Sequence, residues 1–218
     1  MIQVINNTWF QDNMATAKEC KDYKKGKDVY LFTTRFNDET YAENRKFCNK
    51  YKKQCLYSNP HPLPPSVPAD AIVYVIEMNN TKDKIVGIGK IQNRLKYSIY
   101  NIYGEEFYNQ NHFEGVDHVA AEHFDEKYKP FIESLEQQCF FGRGHLKRGH
   151  RMLSFPDRKL GTCMKNGCDI IAYIEGLFKK KPEEESEEET IIEIDNTVYS
   201  NEPYDEENDD SAESDIYD

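Results

Sequence analysis

Arg143, His145, Lys147, Arg148 and Arg151 fall within nine residues, interleaved with Gly142, Gly144 and Gly149 and flanked by Phe140, Phe141 and Phe155. Glycines let backbone amides approach a ligand closely. Guanidinium groups bind phosphate through paired N–H donors, and neighbouring aromatic rings can stack on bases. The pattern predicts phosphate contacts from Arg143, Lys147, Arg148 and Arg151, and a base or phosphate contact from His145. Lys90 and Arg94, in an upstream strand pattern, are expected to extend the same surface. The competing assignments are a solvated basic loop and an arginine-lined pocket filled by the protein's own acidic C-terminus.

Other constellations carry less chemistry. Gly87-Ile88-Gly89-Lys90 lacks the GxxxxGK[ST] spacing of a phosphate loop and the helix that should follow it. It reads as strand, where glycine marks a bulge, a bend or close backbone approach. Gly142 to Gly149 does not fit GxGxxG, which removes dinucleotide binding. Glu77 is followed by Met78 and Asn79 and lacks the lysine of an ExK nuclease. His118, His123, His145 and His150 form no HExxH pattern. The six cysteines (Cys20, Cys48, Cys55, Cys139, Cys163 and Cys168) form no CxxC pair and read as free thiols. A Cys139–His145 nucleophile pair has only sequence proximity behind it. No catalytic residue, metal or cofactor is expected, and a hydrolase using these His and Cys residues is the weakest reading.

The elements that must position the basic run follow from periodicity. Residues 1–26, with the single Trp9, read as a polar arm or irregular lead-in. Asp28–Thr34 has strand composition. Asn37 or Asp38 then caps a helix running to about Tyr57, with Tyr41, Phe47, Tyr51 and Cys55 inward and Glu43, Asn44, Arg45 and several lysines on the other faces. Arg35 and Asn44 read as solvated residues or as a polar pocket wall. Five prolines make 58–68 a stiff connector. Ala71–Met78, a turn at 79–84 and Lys84–Arg94 read as a hairpin. Lys96–Tyr103 resembles a third strand, and 107–119 a polar loop or short strand. Helices are expected over Asp125–Gln138 and Asp169–Lys181, with a short strand over Arg151–Phe155 and a loop over the DRKLGTC segment between them. Tyr74, Tyr97, Tyr100, Tyr103, Phe107 and Tyr108 read mostly as packing residues, of which one or two can line a pocket for a flat ligand.

Composition bounds the class. The chain has 218 residues, 38% hydrophobic and 31% charged, and a mean hydropathy of −0.84. It lacks an apolar run long enough to span a membrane and an N-terminal signal pattern, so an intracellular, non-membrane protein is expected. The net charge of −11 conceals a division. Residues 182–218 hold 17 of the 39 acidic residues and no basic one, leaving 28 basic against 22 acidic residues in the body, a charge of +6. Residues 1–27 therefore read as an arm, 28–181 as one globular domain and 182–218 as a disordered acidic tail. The tail is either solubilising or a decoy that competes with an anionic partner for the basic body.

The segments FTTRFNDETYAENRKF, SVPADAIVYVIEMNNTKDKIVGIGKIQNR and FFGRGHLKRGHRMLSFP resemble a group of largely uncharacterised proteins of nucleocytoplasmic large DNA viruses. At fold level the order of strand, helix, proline-rich crossover and hairpin is similar to the EVE and PUA-like superfamily of small curved β-barrels with flanking helices. That resemblance implies an α+β fold and, by analogy with members that bind RNA or modified bases in an aromatic pocket, a base-reading site. It also implies, for a viral protein, a place in host cytoplasm, nucleus or virion. The leading expectation is a non-enzymatic RNA- or DNA-binding PUA-like domain with an autoinhibitory acidic tail. The alternative is a viral structural or protein-interaction module that engages a basic protein partner through that tail.

Overall fold

Alternation along β3 (Ile72–Asn79) builds the two faces of the sheet. Tyr74, Ile76 and Met78 point to one side, and Val73, Val75 and Glu77 to the other. The computed structural model describes residues 15–24, 29–96, 100–149, 152–165 and 167–179. In it β3 pairs in parallel with β1 (Val29–Phe36) and antiparallel with β4 (Lys84–Gln92). β5 (Asn111–Ala120) continues from β4, and β2 (Leu56–Asn59) and β6 (Leu153–Ser154) close the edges in the order β2-β5-β4-β3-β1-β6. The fold is α+β: a six-stranded, mostly antiparallel sheet curled into a half-barrel, with flanking helices. Register irregularities at Glu77/Met78 and Lys90/Ile91 add to the local twist.

The convex face packs on three helices: α3 (Lys129–Phe140), α4 (Asp157–Lys165) and α5 (Ile170–Phe178). α3 presents Phe131, Ile132, Leu135 and Cys139 at helical spacing, and Phe131 stacks on Tyr173 of α5 at 4.7 Å. The concave face holds Phe32, Phe36, Val73, Val75, Tyr57 and Phe113 and is crossed by α2 (Asp38–Lys50). Asn37 caps α2: its side chain accepts from Thr40 N at 2.7 Å, while Thr40 Oγ1 accepts from Asn37 N at 3.0 Å.

Several expectations need correction. α2 stops at Lys50 rather than continuing to Tyr57, and Lys52 adopts a left-handed φ of 51°. Cys55 and Tyr57 therefore belong to the approach to β2 and to β2 itself. Of the strand expected over Lys96–Tyr103, residues 97–99 lie outside the described residues, 100–103 form no strand, and Lys96 makes an isolated bridge to His112. Of the two readings of 107–119, a polar loop or a short strand, the strand holds and is longer than expected, the ten-residue β5. DRKLGTC is helical, not a loop. The supposed N-terminal arm contributes α1 (Ala17–Lys24), which docks on the body: Ala15 N donates to Thr162 Oγ1 at 3.1 Å, and Tyr23 OH donates to Asp169. Residues 180–218, including the acidic tail, lie outside the described residues. No helix among the described residues is long and apolar enough to cross a membrane.

Candidate functional site

The basic loop leaves the end of α3 through Gly142 and Gly144, whose φ values are 76° and 96°, and closes at Gly149 with φ 120°. A Cβ at Gly142 or Gly144 would meet nothing within 4 Å, so it is the backbone conformation that calls for glycine there. Leu146 N donates to Cys139 O at 2.6 Å, and Lys147 N to His145 Nδ1 at 3.3 Å. The sheet then grips the loop. Arg35 Nε at the end of β1 donates to Leu146 O, and Asn80 Nδ2 just beyond β3 donates to Lys147 O at 3.0 Å.

Of the residues singled out in the sequence, Arg143 and Arg148 are exposed, and His145 and Lys147 are half-buried. Lys147 Nζ is ion-paired with Asp83 at 2.6 Å, so its charge is already partly matched. Arg151 lies outside the described residues. Lys90 and Arg94 are not brought to the loop. The loop meets the sheet beside Asp83 and the start of β4, and Lys90 stands six residues farther along that strand, about 20 Å at strand rise. Arg94, at the far end of β4, is paired with Asp70 at 2.8 Å.

A cavity of about 430 Å³ opens beside the loop, a size suited to a small ligand. The loop end contributes Gly149 and Met152 to its wall, and the strand ends contribute Thr34 to Asn37, Ser58, Asn59 and Asn80. Tyr103 and Tyr108 add aromatic faces, while Glu39, Glu43 and Glu105 add carboxylates. Arg35 is the cation of the wall. Burial brings its pKa down to about 10, leaving it charged at neutral pH, and Thr33 Oγ1 accepts from it at 3.0 Å. Arg35 and Asn80 thus both line the cavity and hold the basic loop, so loop and cavity form one structure. Carboxylates on the wall disfavour a phosphate inside and suit a ligand edge rich in N–H donors.

Behind the cavity lies a polar network in the concave core. Tyr103 OH accepts from Asn44 Nδ2 at 3.0 Å, and Arg45 Nη2 donates to Asn44 Oδ1 at 3.3 Å. Arg45 Nη1 also lies 3.4 Å from His118 Nδ1; because Arg45 can only donate, Nδ1 accepts and His118 Nε2–H is left to donate to Glu77 Oε2 at 3.1 Å. Tyr57 OH donates to Glu77 Oε1 at 2.7 Å. Burial pushes the Glu77 pKa up, but His118, Arg45 and Tyr57 outweigh it and hold the carboxyl below its ordinary range. The strand glycines make the room. A Cβ on Gly87 would fall 2.5 Å from Glu77 Oε2, and one on Gly89 1.9 Å from Tyr57 OH. Glu77 is completely buried, so this network supports the fold and the Tyr103 wall rather than meeting a ligand.

Sequence reasoning placed Glu77 in a strand and left Arg45 on a helix face, and it did not join them to His118 or Tyr57. All six cysteines are free, and burial lifts the Cys139 thiol to about 12, which disfavours the thiolate that a nucleophile needs. Among the described residues no group of three His, Cys, Asp or Glu side chains is placed to hold a metal ion. No family model, curated protein or solved structure matches the chain.

Proposed function

We propose that the protein is a non-enzymatic nucleic-acid-binding domain, in which the Arg143–Gly149 loop engages phosphates and the adjoining cavity receives an unstacked base. The observation that carries this reading is the joint role of Arg35 and Asn80, which fix the loop and line the cavity at once. Phosphate contacts outside the cavity and a base edge within it match the charge distribution: arginines on the exposed loop, carboxylates and aromatic rings in the wall. A single strand or an extruded base is favoured, because stacked bases cannot present a whole edge to a cavity. The acidic residues 182–218 act in this reading as a competing polyanion for the loop.

Binding of labelled single- and double-stranded RNA and DNA, followed across a salt series, tests the proposal. Log affinity should fall steeply with log salt, as counterions are released from phosphates. Arg143→Gln with Arg148→Gln should reduce that slope by about 1.4 on a single strand. Absence of salt-sensitive binding would sink the reading and move the search to basic protein partners of the tail.

A further inference from the structure

Resting on that reading, we propose that the C-terminal half of α2 is a stacking track for the nucleotides flanking the cavity-bound base of a single-stranded polynucleotide. Glu43 lines the cavity, and Phe47 and Tyr51 follow it one and two turns later on the same helix face. Their rings lie 4.5 Å apart, and Tyr100 packs against Phe47 at 5.4 Å. Tyr51 is 46% exposed, comparable with Phe107 and Phe141, and of these three rings it stands among lysines of α2.

Charge follows the same line. α2 begins with Asp38, Glu39 and Glu43 beside the cavity and continues into Lys46, Lys50 and, just past its end, Lys52. These three lysines are exposed and form no ion pair among the described residues, and Lys50 Nζ lies 5.0 Å from the Tyr51 ring centroid. The helix dipole accounts for acids at one end and bases at the other. It does not account for an exposed ring among the cations. Lys53 and Lys96 are paired with Glu114 and do not belong to the track. Phe47 is half-buried and packs beside Tyr51, and Lys50 Nζ lies over the Tyr51 ring, so an unstacked base reaches the exposed Tyr51 ring by displacing Lys50 toward its phosphate backbone, whereas a duplex hides its base faces. From Glu43 to Tyr51 the helix advances about 12 Å, room for about three bases at a stacked spacing of about 3.4 Å. The cavity thus stands between two supports, the basic loop on one rim and the aromatic–lysine track on the other.

The test uses the full-length chain and 5′-labelled oligouridine and oligothymidine of roughly two and twelve nucleotides, spanning less and more than the cavity and track together. Tyr51→Ala should weaken the longer oligomer about 5- to 100-fold and leave the shorter within about 2-fold. Tyr51→Trp should keep full affinity, because it keeps a stacking face. Lys50→Gln should lower the salt slope for the longer oligomer by about 0.7. Wild-type affinity of Tyr51→Ala for the longer oligomer, with binding lost in the Arg143→Gln, Arg148→Gln chain, would overturn the track and leave the loop-and-cavity reading standing. No binding by the unaltered chain would overturn both. A gain in affinity on Lys50→Gln would also overturn the track, since it would identify the chain's own acidic tail as the occupant.

Discussion

Replacing Glu77 by Gln isolates the charge at the centre of the concave core while keeping the side chain's shape. In the native chain Glu77 is fully buried and accepts from Tyr57 OH at 2.7 Å and His118 Nε2 at 3.1 Å. The substitution takes the counter-charge from Arg45 and turns one acceptor oxygen into a donor amide among donors. Breaking a buried charge pair on one side costs about 3–5 kcal/mol. That is a large part of the roughly 5–15 kcal/mol that holds a domain together. At about 2–4 °C per kcal/mol for a chain of this size, the melting temperature should fall by about 6–20 °C. The sign of the pH dependence follows from the depressed carboxyl. Its stabilisation is fully present above the unfolded-state value of 4.5 and is lost as pH falls through the lower native value. The wild-type chain should therefore lose more stability on acidification than Glu77→Gln. Urea unfolding at neutral and acidic pH, read by near-ultraviolet circular dichroism, measures both quantities. A loss below about 1 kcal/mol at neutral pH, or parallel acid limbs, would refute the assignment of an ionised, network-held carboxylate.

Two glycine substitutions should fail for different reasons. Gly89→Ala puts a Cβ 1.9 Å from the Tyr57 hydroxyl, whose ring is fully buried, and should cost about 1–3 kcal/mol in unfolding free energy by overpacking. Gly142→Ala meets open space but must hold φ near 76°, so a loss of about 1–2 kcal/mol there would be conformational, and Gly142→Asn should recover part of it. Asn37→Ala removes the cap of α2 and should cost about 0.5–2 kcal/mol by denaturant titration, while Asn37→Ser should recover most of the loss. Removal of residues 183–218, the segment beyond Pro182, should tighten nucleic-acid binding, most at low salt; unchanged affinity would argue against a competing tail.

The sequence carried local signals well and distant ones poorly. The hairpin of β3 and β4 was legible because β-branched runs bracket an Asn- and Asp-rich turn, and the start of α2 because Asn37 and Asp38 are capping residue types, Asn37 being the cap. β2 was hidden because Tyr51 and Cys55 continue the helical spacing, although the left-handed Lys52 ends the helix before it. β5 was left between a polar loop and a short strand because of its polarity. The register irregularity opposite Lys90/Ile91 breaks its alternation, so that Phe113 and His118 share the face toward Tyr57 and Glu77 while His112 lies on the other. The Arg143–Gly149 loop was read correctly as a glycine-punctuated basic turn, but its cavity needs Arg35, Asn80 and Tyr103 from three separate segments. Lys90 and Arg94 were placed on the basic surface only because sequence gives no strand direction; the register sends them to the other end of the sheet. Arg45 looked solvated on a basic helix face, and its partners Glu77 and His118 lie 32 and 73 residues away.

The central claim is that the basic loop and the cavity are one nucleic-acid site. Its most direct test is titration of isotope-labelled full-length protein with a short single-stranded oligonucleotide, following backbone amide resonances. The account predicts that shifts concentrate together in Gly142–Gly149, Thr34–Asn37 and Tyr103–Tyr108, with Lys90 and Arg94 unmoved. Shifts confined to the Lys90–Arg94 end of the sheet, or no shifts at saturating oligonucleotide, would contradict it.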